Sequence, residues 1–107
     1  MKFQFNTDSS IAGGESFATR VEAIVRARLA HIEHRLTRIE VHVGDVNGAR
    51  ETGDDKRCSI EIRPNGLDPI SASDNAANVE AAVTSAADKV LAAYDRQIGK
   101  RTTRKGH

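Results

Sequence analysis

The chain has 107 residues, 38% of them hydrophobic, which is enough for one modest core and too little for two independent domains. Its 16 Lys and Arg nearly cancel its 15 Asp and Glu, so a nucleic-acid role can rest only on segregated charge, never on bulk charge. The single cysteine, Cys58, excludes an internal disulfide and a cysteine-only zinc site.

Residues 2–6 alternate Phe3 and Phe5 with Lys2 and Gln4, the period of a half-buried strand. Thr7 to Gly14 reads as a loop broken by Gly13-Gly14. Phe17, Val21, Ile24, Val25, Leu29, Ile32 and Leu36 then recur at three and four, which predicts one long amphipathic helix from about Glu15 to Leu36. From Thr37 the period drops to two, with Ile39, Val41 and Val43 facing one way, and this predicts a second strand. Residues 44–55 join three glycines to four acids and read as a solvated loop. Cys58, Ile60 and Ile62 alternate with Arg57, Ser59, Glu61 and Arg63 in a third strand, and Pro64-Asn65-Gly66 turns the chain into a short fourth through Ile70 and Ala72. Pro69, lacking an N–H, places that strand at a sheet edge or at its own start. Ser73-Asp74-Asn75 offers N-cap oxygens for a second helix, about Ala76 to Lys100, whose stripe is Val79, Val83, Ala86, Val90, Tyr94 and Ile98.

The expected architecture is α+β in the order β-α-β-β-β-α: a four-stranded mixed sheet with two helices packed on one face. Residues 1–101 form the single expected domain, and 102–107 a basic disordered tail. No hydrophobic N-terminal run or spanning segment is present, so a soluble, untargeted, cytoplasmic chain is expected.

Charge is segregated within this order. On the first helix, Arg28, His31, Arg35 and Arg38 are spaced three, four and three, which stacks them along one flank, with Arg20 on the same side two turns earlier. Lys89, Arg96 and Lys100 share a strip on the second helix, and Arg101, Arg104 and Lys105 extend it without an intervening acid. Two such strips bordering a common groove would match a phosphate backbone, and arginine with few aromatics favours duplex or folded RNA over stacked single strands. A solvated surface accounts for the same residues equally well.

The βαβββα order, Ile70-Ser71-Ala72-Ser73 leading into Asn78-Val79-Glu80-Ala81-Ala82-Val83, and Asp88-Lys89-Val90 followed by Arg96-Gln97-Ile98-Gly99-Lys100 span the whole chain. Together they resemble the bacterial ribosome hibernation promoting factor and ribosome-associated inhibitor A family, also called sigma-54 modulation or S30EA proteins. The resemblance implies binding of the 30S subunit or 70S ribosome in the messenger and transfer RNA channel, with basic helix faces on 16S ribosomal RNA and translation blocked under stress. It places Lys89, Arg96 and Lys100 where the family keeps lysine or arginine, and Glu80 where the family usually has an aromatic residue. It also implies the short form, a monomer off the ribosome that does not pair two ribosomes.

Two other readings compete: a general double-stranded RNA-binding module, matched by the last five elements, and a protein-interaction domain using the open sheet face or the Pro69 edge. Catalysis comes last. His31 and His34 with Glu33 lack a second half for a metal site, Cys58 points to the core, and His42, beside Glu40, Glu61 and Arg63, lies on an open face without a cleft. No cofactor, metal, membrane or small-molecule substrate is expected.

Overall fold

The computed structural model describes residues 1–7, 14–45 and 56–105, with 100–105 as helical backbone only. Its elements are β1 (Lys2–Thr7), α1 (Glu15–Arg28), a single 3-10 turn (Glu33–Arg35), β2 (Leu36–Asp45), β3 (Lys56–Pro64), β4 (Ile70–Ala76) and α2 (Val79–Lys105). The strands form one sheet in the order β1-β2-β3-β4. β1 runs parallel to β2, and the two later pairs are antiparallel. The expected α+β architecture is therefore the one observed, with both helices on the same face.

Strand alternation sorts the side chains as the period-two pattern predicts. Ile39, Val41 and Val43 of β2 and Cys58, Ile60 and Ile62 of β3 are fully buried beneath the helices. Val21 and Val25 of α1 and Ala82, Val83, Ala86, Ala87, Val90 and Tyr94 of α2 close over them in one continuous core. Three alanines on that stripe let α2 lie close across β3 and β4. Phe17 meets Phe5 edge to face at 5.9 Å, which fixes α1 over the sheet edge.

Four sequence expectations need correction. The first helix ends at Arg28, not Leu36. Beyond it the chain continues in tight three-residue steps, with Ile32 N–H donating to the Leu29 carbonyl (3.0 Å) and Arg35 N–H to the Ile32 carbonyl (2.8 Å). Those steps keep Leu29, Ile32 and Leu36 buried, so the apolar spacing survives although the helix does not. Second, a bulge lies between Leu36 and Arg38, and Thr37 Oγ1 donates to the Arg63 carbonyl at 3.0 Å. Leu36 and Ile39, three apart, thereby face the same core. Third, β4 extends through Ala76, so Ser73-Asp74-Asn75 is strand and the α2 cap is Asn78, whose Oδ1 accepts from Ala81 N–H at 2.8 Å. Fourth, α2 continues as helix to Lys105, past the expected end at about Lys100. The acidic stretch at 46–55 and the last two tail residues lie outside the described residues.

The turn after β3 follows the sequence. Gly66 has φ of +76°, a left-handed conformation that a residue with a Cβ adopts only under strain.

Candidate nucleic-acid interface

The early stop of α1 redistributes the expected basic flank. Arg28 is the last helical residue, His31 lies in the following turn, Arg35 ends the 3-10 turn, and Arg38 is on β2. The spacing of three, four and three aligns residues only on a continuous helix, so these four do not form one strip. They occupy a helix end, a connecting turn and the sheet.

Sequence-distant acids hold the cations nearest the helix–helix boundary. Arg20 Nη1 lies 2.5 Å from Glu80 Oε2, and Arg28 Nη1 lies 3.4 Å from Asp88 Oδ1, both reaching from α1 to α2. Arg26 turns the other way, paired with Glu22 (2.7 Å) and Glu33 (3.1 Å), with its guanidinium carbon 5.5 Å from the Phe3 ring centre. The Glu22 hydrogen bond, more than any other influence, raises the Arg26 pKa further.

The basic strip of α2 runs along the opposite flank. Lys89 Nζ reaches Asp74 Oδ1 on β4 at 3.4 Å, whereas Asp88, one residue earlier, reaches α1. Arg96 follows Lys89 by two turns on that β4 side and is exposed, with no ion pair among the described residues. The α2 cations therefore lie towards β4, away from α1, and with the other four residues dispersed no two strips border one shared groove. Asp74 is also held by Ser85 Oγ, the largest cause lowering its pKa, and then by the Asn75 N–H at 2.9 Å. Lys100, Arg101, Arg104 and Lys105 fall on the last turns of α2.

The open face of the sheet carries Lys2, Arg38, Arg57 and Arg63. Arg38 Nη2 donates to Gln4 and to Glu40 Oε2 (2.8 Å), Arg63 Nε to Glu61 Oε2 (3.2 Å), and Arg57 Nη2 to Ser73 Oγ (3.0 Å). Lys2, Arg35, Arg57 and Arg96 have no ion pair among the described residues. The register behind this grouping was not available from the sequence, although alternation had already turned Lys2, Arg57 and Arg63 outward.

Among the described residues, no nucleophile and base converge on one site. Cys58 is fully buried, and desolvation pushes its thiol up to about 12, so it is neither thiolate nor accessible at neutral pH. His42 is exposed on the open face. Among the described residues, no cluster of three or more His, Cys, Asp or Glu could hold a metal ion, and no helix is long and apolar enough to cross a membrane.

Comparison with known proteins fits this geometry. The fold is similar to the N-terminal domain of Protein Y from Thermus thermophilus, with a TM-score of 0.65 at 14% identity over 87% of this chain and 93% of that one. It is also similar to a ribosomal subunit interface protein from Coxiella burnetii, with a TM-score of 0.62 at 12% identity over 96% and 99% of the two chains. The comparison with curated proteins finds no match. The model of the Sigma 54 modulation protein / S30EA ribosomal protein family matches residues 14–105, from the start of α1 to the end of α2, and the chain belongs to that family.

Proposed function

We propose that this chain is a non-enzymatic, cytoplasmic translation inhibitor that lodges in the RNA channel of the 30S subunit, free or within the 70S ribosome, by contacting 16S ribosomal RNA. The family match over residues 14–105 carries this reading. The charge map supports it: α2 presents Lys89 and Arg96 on a flank turned away from α1, and its sequence continues with Lys100, Arg101, Arg104 and Lys105. Arg28, Arg35 and Arg38 add cations at a helix end, in the 3-10 turn and on the sheet, and His31 adds a ring N–H donor in the connecting turn. A surface of this kind binds through phosphate contacts, which fix position and weaken as salt rises. No cofactor or small-molecule substrate enters the mechanism, and the chain is a monomer off the ribosome.

Sedimentation of the chain with purified subunits through sucrose, at low and high salt, tests the reading. The expected result is association with 30S or 70S particles that high salt removes and that Arg96→Glu with Lys100→Glu abolishes while the fold is retained. Unchanged co-sedimentation of the reversed variant would show that another surface binds. Equal affinity for plain duplex RNA and for ribosomes would replace the reading with a general double-stranded RNA-binding module.

A further inference from the structure

The sheet face turned away from the helices has a charge pattern that folding alone does not require. Parallel pairing sets Lys2 beside Arg38, and antiparallel pairing sets Arg38 beside Arg63, so three cations stand abreast across β1, β2 and β3. With strands about 4.8 Å apart, this row is roughly 10 Å long. The adjacent row is Gln4, Glu40 and Glu61. Like charges directly opposite one another weaken a sheet, and exchanging Arg38 with Glu40 would alternate the signs in the first row and set opposite charges beside each other at Glu61 in the second. Local departures from the arrangement best for stability concentrate at functional sites.

The donors of this row are also incompletely used. Lys2 is exposed and has no ion pair or side-chain hydrogen bond among the described residues. Arg38 commits Nη2 to Gln4 and Glu40, its Nε is buried without a partner, and Nη1 has no acceptor. Arg63, half exposed, commits only Nε, to Glu61, and its terminal nitrogens have no partner among the described residues. The row is cationic from end to end and contains no aromatic ring, which suits a chain of phosphates and offers nothing for stacked bases.

We propose that Lys2, Arg38 and Arg63 form a phosphate track for an RNA strand, on the face opposite the helices. A row of roughly 10 Å is long enough to meet successive phosphates of one strand. That the strand is ribosomal rests on the function proposed above: a factor lodged between RNA walls meets phosphate on two sides.

The experiment is anisotropy titration of the full chain with a labelled RNA duplex of about 16 base pairs across a series of salt concentrations. Lys2→Gln with Arg63→Gln removes two exposed cations and is expected to weaken binding about tenfold or more at low salt and to flatten the log affinity against log salt slope by about 1 to 2. Glu61→Gln, which releases Arg63 and removes the neighbouring anion, is expected to tighten binding. A double variant with the wild-type slope, or a wild type that does not bind the duplex, overturns the track. Sedimentation with 30S particles separates the two ideas. Co-sedimentation together with an unchanged slope overturns the track alone, whereas duplex binding through the track without co-sedimentation leaves the track standing and overturns the ribosomal reading.

Discussion

Replacing Glu80 with Gln and Asp88 with Asn removes the two acids that tie α2 to α1 and should move stability and RNA affinity in opposite directions. The side chains of both pairs are about half exposed, 59% and 49% for Arg20–Glu80 and 49% and 52% for Arg28–Asp88, so each pair falls in the solvent-screened class worth about 0.2 to 1 kcal/mol. The 3.4 Å separation of Arg28 and Asp88 puts that pair at the weaker end. Glu80 also lies in the first turn of α2, where a negative charge facing the helix dipole adds about 0.3 to 1 kcal/mol. The double variant should therefore lose about 1 to 2 kcal/mol, a fall in Tm of roughly 5 to 10 °C. It also releases two guanidinium groups at the helix–helix boundary. If that boundary faces RNA, the salt slope should steepen by about 1 to 2 and low-salt affinity should rise despite the lower stability. Circular-dichroism melting and anisotropy titration on the same preparations give both quantities. Affinity that falls together with Tm would show that the boundary does not face RNA and that the pairs serve the fold alone.

The remaining expectations concern single positions. Asn78→Ala deletes the side-chain acceptor for Ala81 N–H and should destabilise the domain by about 1 kcal/mol in chemical denaturation, whereas Ser73→Ala, at the place where the sequence suggested a cap, should cost measurably less. Cys58, with its thiol held near 12 by burial, should resist a thiol-specific chromogenic reagent at pH 8 in the native chain and react at once in denaturant. For Asp74, the Ser85, Asn75 and Lys89 contacts hold the folded carboxyl below its ordinary 3.8, so its contribution is fully present above that value and is lost as pH falls through the lower folded value. Asp74→Asn should lower Tm near neutral pH and flatten the acid limb of a Tm against pH curve.

Much of the fold is legible because each strand declares its buried face by alternation and α2 by its alanine-rich stripe. The end of α1 is not, because a helix and a succession of three-residue turns bury Leu29, Ile32 and Leu36 with the same spacing. The bulge at Leu36 hides for a related reason: two apolar residues three apart read as helix when they are one strand with an extra residue. The cap is hidden because Ser73, Asp74 and Asn75 all have capping chemistry, and only pairing with β3 assigns them to β4. The candidate interface was the least legible part. The cationic residues were visible one by one, but the acids that hold Arg20 and Arg28 lie sixty residues away, and the neighbours of Arg38 are set by register. Periodicity reports which way a side chain faces and says nothing about who stands opposite.

The sheet order has a consequence for how the chain is made. Lys2–Thr7 has a single strand neighbour, Leu36–Asp45, and α1 intervenes between the two. During synthesis the first strand emerges long before anything exists for it to pair with, and parallel pairing across an intervening helix carries a larger loop-closure cost than a hairpin. The β2–β3–β4 meander and the helix that covers it are joined by shorter connections and can assemble before it. Loop-closure cost therefore favours pairing of the N-terminal strand after the meander, and with it the placement of Lys2 beside Arg38.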